Sequence, residues 1–199
     1  IHTVENKNYL VIDLVVGPDA RPGNFLIELY SASKKKITYT YALSGRVKER
    51  LRLQGINQRD VIYLITPDRF ANGNPQNDAH EMLKERTNRT LPNGRHGGDL
   101  QGIRNNLGYL HDLGVTAVWI NPLLENDMPA SSYHGYAITD YYTIDGRYGT
   151  NEEYRQLADE LHKRDMKLMM DMVFNHCGRE HWWMNDIPFA DWIHYYPEY

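Results

Sequence analysis

The sequence predicts an α/β fold of parallel strands joined by crossover helices, preceded by a short all-β segment. Three observations predict it. Short, continuous apolar runs recur at 61–65, 115–120 and 166–173, the pattern of strands covered on both faces. Between them, Ile103, Leu107, Leu110 and Leu113, and then Tyr154, Leu157, Ala158 and Leu161, recur at helical spacing. The connections that follow the strands are long (66–98 and 121–149), while those that follow the helices are a few residues. Strand–helix alternation with this asymmetry requires parallel pairing, and on pattern alone a (β/α) barrel and a doubly wound sheet fit equally well. In both, function collects at the strand C-terminal ends, where the long loops lie.

The elements follow in order. Leu10, Ile12, Leu14 and Val16 alternate with Val11, Asp13 and Val15, which predicts an extended strand with one buried face. Pro18 and Pro22-Gly23 interrupt it. Residues 25–30, a turn over 31–36 with Lys34, Lys35 and Lys36 at its solvated tip, and 37–41 read as strand, turn, strand. Three strands are too few for an independent sandwich. Residues 1–45 therefore read as the end of a β domain, 46–59 as a linker, 60–173 as three βα units and 174–199 as the start of a further segment. Gly114 is placed to end the first helix. Thr150 with Glu153 three residues on makes a capping box for the second.

Composition excludes some functions. Hydrophobic residues make up 41% and charged residues 24% of the 199, an ordinary globular balance. A net charge of −4 argues against nucleic acid, which needs concentrated Lys and Arg. No run approaches the roughly 20 apolar residues of a membrane helix. The single Cys177 forms no internal disulfide. His176, Cys177 and His181 lack the fourth partner a zinc site needs.

Two constellations stand out. Asn72, Asn74, Asn77 and Asp78 lie close together, with Asp99 behind Gly97-Gly98. Carboxylate, amide and backbone oxygens suit a hard cation such as Ca²⁺, although Asn and Asp also favour turns through local hydrogen bonds alone. Around Tyr136 lie Tyr133, Tyr141 and Tyr142, which read equally as packing tyrosines.

Four segments in order carry a resemblance: VIYLITPDRFANG (61–73), GVTAVWINP (114–122), YHGYAITDYYTIDGRYG (133–149) and DMVFNH (171–176). Together they resemble the α-amylase family of glycoside hydrolases. ANGNPQND (71–78) with HGGDL (96–100) resembles the neopullulanase and cyclomaltodextrinase branch. The resemblance implies a truncated TIM (β/α)8 barrel, comprising the first three strands and the start of the inserted domain B, behind the last strands of an N-terminal β-sandwich. It implies Ca²⁺ on Asn72, Asn74, Asn77, Asp78, Gly97 and Asp99. It also implies Tyr136 as the tyrosine stacked under the sugar, His176 and His134 as sugar ligands, and Asp171 as support for the nucleophile region. The expected activity is retaining hydrolysis of α-1,4 bonds in α-glucans, with α-1,6 bonds as a second class. The alternative is a non-catalytic relative serving as a binding protein or transporter partner. No catalytic pair is assigned in this chain, because Glu180, Asp186, Asp191 and Glu198 lie outside any family context; the 199 residues alone are expected to be inactive. A homodimer through the N-terminal domain and a periplasmic or secreted location complete what the resemblance implies.

Overall fold

The computed structural model describes residues 1–31, 33–45 and 55–195. It divides into two compact units, Ile1–Gly55 and Ile56–Tyr199. Of the predicted linker, 46–54 lie outside the described residues, as do 196–199 of the final segment.

The first unit is two antiparallel hairpins. β1 (His2–Thr3) pairs with β2 (Leu10–Val11). β3 (Gly23–Tyr30) pairs with β4 (Lys36–Leu43), in register from Gly23 opposite Leu43 to Tyr30 opposite Lys36. Lys34 takes φ 63° at the tip, its N–H donating to Ser31 O at 2.8 Å. The predicted strand over 10–16 is corrected: it stops at Val11, and Leu14, Val15 and Val16 are exposed. Alternation shows which face a strand would bury, but an extended backbone is held only by a partner, and no described strand pairs with 12–16.

The second unit carries the parallel sheet. Its strands are β5 (Ile62–Ile65), β6 (Ala117–Ile120), β7 (Leu124–Glu125), β8 (Asp140–Ile144) and β9 (Lys167–Met170). β5, β6 and β9 pair parallel in that order, Ile62 opposite Ala117 opposite Lys167. β7 and β8 pair antiparallel within the stretch read as loop, 121–149. The helices are α1 (Pro67–Phe70), α2 (Leu100–Asn105), α3 (Leu107–Asp112) and α4 (Asn151–His162).

The helix predicted through Ile103, Leu107 and Leu110 is two helices. At Asn106 (φ −111°, ψ 13°) the side-chain amide donates to Gly102 O at 2.7 Å, taking the carbonyl its own N–H would use. That N–H turns to Ile103 O instead. Gly114, at φ +85°, ends α3: its N–H bonds His111 O while Val115 N bonds Leu110 O, the paired closure of a Schellman motif. The Thr150–Glu153 capping box opens α4, with Glu153 N on Thr150 Oγ1 at 3.1 Å and Thr150 N on Glu153 Oε2 at 2.7 Å.

Leu100, Ile103, Leu107 and Leu110 pack with Val118, Ile120, Leu157 and Leu161 in one fully buried cluster. Each such side chain contributes roughly 1.5–3 kcal/mol by burial. The loop after α1 lies against α2 backbone to backbone. A Cβ on Gly102 would sit 1.9 Å from Ala71 O, and one on Gly73 2.3 Å from Gly102 N. The sheet, core and loop bring the ends of β5, β6 and β9 to one edge. No helix among the described residues is long and apolar enough to cross a membrane.

Candidate functional site

Beyond the C-terminal end of β9, Asp171 faces the loop that follows β6. Its Oδ2 accepts the Tyr136 hydroxyl at 2.8 Å and the Trp119 indole N–H at 3.3 Å. His176 Nε2 lies 3.0 Å from Tyr136 O, and Tyr141 donates its hydroxyl to His176 O at 2.7 Å. The His134 ring stacks beside Tyr136, centroids 5.9 Å apart, and its Nδ1 accepts Tyr136 N–H at 2.9 Å. Accepting at Nδ1 places the neutral imidazole's proton on Nε2. The structure therefore brings together Tyr136, His134 and His176, the three residues that the resemblance placed at the sugar, and Asp171, which it gave as support for the nucleophile region. Tyr136 remains 39% exposed, so its ring is available to a ligand. Burial, with the Asp171 bond, pushes its phenol up. Burial pushes the His134 imidazole down, partly offset by the Glu85 carboxylate.

Next to His176 opens a cleft of about 570 Å³ lined by Tyr141, Phe174, Asn175, Trp183 and Trp192. His181 is packed behind it between Tyr141 and the tryptophans, its Nδ1 accepting Trp183 N–H at 3.1 Å. Its Nε2 is buried with no hydrogen-bond partner, and burial pushes its pKa down.

The reading from sequence missed the ionic framework beneath the site. Asp68, Arg95, Asp145 and Arg147 are at most 1% exposed. Arg147 holds Asp145 with two bonds, Nε to Oδ1 at 2.9 Å and Nη2 to Oδ2 at 2.7 Å. It also donates to Glu85 O at 3.0 Å and Asn126 O at 2.8 Å. Arg95 lies between Asp68 (3.8 Å) and Asp145 (4.0 Å), over the Tyr148 ring, and donates to Ser132 Oγ. Burial alone would raise the Asp145 carboxyl; bonds from Arg147 and the charge of Arg95 outweigh it and hold it below the usual range. The available signal was Asp145-Gly146-Arg147, two opposite charges two apart in a loop.

The Asn- and Gly-rich loop closes on itself. Asn72 Nδ2 donates to Asp78 Oδ1, whose other oxygen takes Arg89 Nη2 at 3.1 Å. Gly97, at φ +89°, sits against both side chains; a Cβ there would lie 2.5 Å from Asp78 Oδ1. Asn77 Oδ1 is buried with no partner. Asn74 Oδ1 accepts Gln76 N–H at 3.2 Å. Asp99 also holds main chain. Its carboxylate accepts the N–H groups of Gly73 (3.0 Å), Asn74 (2.8 Å) and Gly102 (2.6 Å), tying the loop to the N-terminus of α2.

The family model for the α-amylase catalytic domain matches residues 64–192, well over half of the chain. The chain belongs to the α-amylase family. The N-terminal model of cyclomaltodextrinases matches residues 1–47. Neopullulanase 2 of Thermoactinomyces vulgaris is 34% identical over 91% of this chain and 30% of its own length. The solved structure of an Anoxybacillus α-amylase superposes with TM-score 0.63 at 43% identity, over 69% of this chain and 29% of that one. The chain thus spans about 30% of the length of the neopullulanase. α-Amylase-family relatives occupy different compartments. An intracellular maltogenic amylase of Bacillus subtilis strain 168 is 38% identical over 67% of this chain and 23% of its own length. A periplasmic α-amylase of Escherichia coli K12 is 35% identical over 59% and 19%.

Proposed function

We propose that the full-length protein is a retaining α-glucan hydrolase and that this chain supplies the floor of its sugar site and a calcium loop. One observation carries the reading: Tyr136, His134, His176 and Asp171, drawn from two separate loops, converge at the C-terminal edge of a parallel sheet. The Tyr136 ring offers a flat apolar face to a pyranose, and Asp171 fixes that ring through its hydroxyl. His134 and His176 flank it with ring nitrogens able to bond sugar hydroxyls. The sheet β5-β6-β9 is read as the first three strands of a TIM barrel, and 1–45 as the end of a β-sandwich.

Retaining chemistry needs two carboxyls about 5–5.5 Å apart, one attacking the anomeric carbon and one protonating the leaving oxygen. By resemblance these lie on the fourth and fifth barrel strands, so residues 1–199 alone are expected to be inactive. Glu180, the first carboxylate after Asp171, is engaged with Lys84. A periplasmic or secreted location and a homodimer belong to the same reading.

The same reading assigns calcium to the loop of Asn72, Asn74, Asn77, Asp78, Gly97 and Asp99, where it would replace the bonds Asp78 takes from Asn72 and Arg89. Asn77 Oδ1 is a buried acceptor without a donor, and Gly97 leaves the room that any side chain would fill. The donor set is hard oxygen throughout. Calcium there would tie the two ends of the long loop together.

The test is hydrolysis of maltoheptaose and pullulan by the purified full-length protein. Release of reducing sugar with retained anomeric configuration supports the reading. Binding of maltoheptaose without turnover would assign the non-catalytic alternative instead.

A further inference from the structure

We propose that Glu85 is a positioning residue for the sugar site: its carboxylate, from the long loop after β5, sets the turn that presents His134 and Tyr136. This rests on the glucan-binding reading above. Glu85 Oε1 accepts the N–H of Ser131 at 3.0 Å and Oε2 that of Ser132 at 2.6 Å. Two consecutive N–H groups thus converge on one carboxylate. The turn they open needs such a hold. Ser131 sits at φ 58°, a left-handed conformation that costs energy for a residue with a Cβ. The short 3₁₀ turn Ser132–His134 follows, and Gly135 closes it at φ +80°, its N–H on Ser132 O at 3.2 Å. There a Cβ would lie 2.0 Å from Pro122 O. Tyr136 comes next.

Glu85 is itself rigidly placed. Arg147 Nη1 donates to its carbonyl, and the preceding Lys84 N–H is held by Asp127 Oδ1 at 2.7 Å. The carbonyl side of the turn is fixed separately: Asn126 Nδ2 donates to Ser132 O at 3.1 Å and Tyr148 to Tyr133 O at 2.6 Å. Glu85 supplies the complementary hold on the N–H side. The Glu85 charge also reaches the ring of His134, the last residue of the turn.

The consequence is a population effect. When the carboxylate is lost, the strained turn relaxes in most free molecules, and sugar binds only the ordered fraction. Apparent affinity falls by that fraction while the bound complex is unchanged. Glu85→Gln is near-isosteric, but its amide NH₂ faces one of the two N–H groups and cannot accept from it.

In the full-length protein, Glu85→Gln should raise KM for maltoheptaose about tenfold and leave kcat within about twofold. Glu85→Asp, which keeps the charge and retracts it by one methylene, should give an intermediate rise and remains the test should Glu85→Gln fail to fold. A lowered melting temperature with unchanged KM would make Glu85 a purely structural residue and overturn the proposal. So would a fall in kcat at constant KM. Absence of any hydrolysis or maltoheptaose binding by the wild-type protein would instead overturn the glucan reading on which this one rests.

Discussion

Asp145→Asn removes one charge from the buried framework while keeping its shape. In the native protein the Asp145 carboxylate takes two bonds from the Arg147 side chain and the N–H groups of Arg147 at 3.0 Å and Asn126 at 3.2 Å, with Arg95 4.0 Å away. Asn can accept at one oxygen only, and its NH₂ must face a guanidinium. Arg95 then keeps Asp68 at 3.8 Å, while Arg147 loses the carboxylate it pairs with. Breaking a buried pair from one side costs about 3–5 kcal/mol, because the remaining charge is desolvated and uncompensated. In a 150–250-residue domain each kcal/mol shifts the midpoint by about 2–4 °C, and in a larger full-length protein by less, so the expected fall is a few °C. The contrast is the double change Asp145→Asn with Arg147→Gln, which removes both charges and keeps polar groups in their place. Replacing a whole buried pair is often close to neutral; Asn Oδ1 still accepts a main-chain N–H and the Gln amide can still donate to Glu85 O or Asn126 O, so the double change should cost less than Asp145→Asn. Thermal unfolding of the full-length protein, followed by circular dichroism at neutral pH, reads both. A fall under about 1 kcal/mol for Asp145→Asn, or a double variant less stable than the single, would refute the argument that these charges act as a coupled buried set. The same pair has a pH signature. The folded carboxyl lies below its unfolded value of 3.8, so its contribution is complete above that value and is lost as pH falls through the folded pKa.

Calcium should raise the melting temperature of the full-length protein, by the equivalent of about 2.7 kcal/mol at a hundredfold excess over Kd. Asp78→Asn should abolish that rise, and an equal response in wild type and variant would leave the loop's Asn and Asp as turn formers only. Asp99→Ala should destabilise with or without calcium, because three backbone N–H groups lose their acceptor; a loss confined to the calcium-loaded protein would contradict this. Tyr136→Phe should lower kcat/KM by about tenfold, since a hydrogen bond to a charged group contributes about 1.5–3 kcal/mol, and Tyr136→Ala by more; equal losses would mean the ring contributes nothing. Below pH 6.5 the unfolded His181 takes up a proton that the buried ring, with its lowered pKa, resists. Stability should therefore decline as pH falls from 6.5 towards the folded pKa, with a slope that His181→Gln reduces in a pH series of melting temperatures.

The parallel sheet was legible because strands covered on both faces need unbroken apolar runs, and 61–65, 115–120 and 166–173 have little else to be. The capping box and Gly114 were legible because both act through their nearest neighbours in the chain. Leu10–Val16 misled for the opposite reason: alternation is a local property, and pairing is not. Asn106 misled because an apolar stripe records the buried face, while a side chain that competes for a backbone carbonyl leaves the stripe intact. Tyr136, His176 and Asp171 were found through resemblance; nothing in their spacing brings positions 136 and 171 within a hydrogen bond. The buried ions left only the faint signal of Asp145-Gly146-Arg147, for a physical reason. Charged residues in loops are ordinarily solvated, so Asp68, Arg95, Asp145 and Arg147 read as surface until the fold places each beside a counter-charge. Glu85 was hidden similarly, since its partners are backbone groups that every residue carries.

The contact between Gly73 and Gly102 bears on how this loop can diversify. Where two side chains meet, an enlargement on one can be matched by a reduction on the other. Here the wall that a new Cβ would strike is main chain, at Ala71 O and Gly102 N, and no compensating substitution moves main chain cheaply. The pair should therefore tolerate no stepwise exchange, and a library randomising both positions should return glycine at each. Variation is left to outward positions such as Glu81, Met82 and Leu91, which already lie exposed, and not to Leu83, Glu85 or Arg89 between them. New specificity or an inserted segment would have to be grafted there, leaving the seam beneath it as it is.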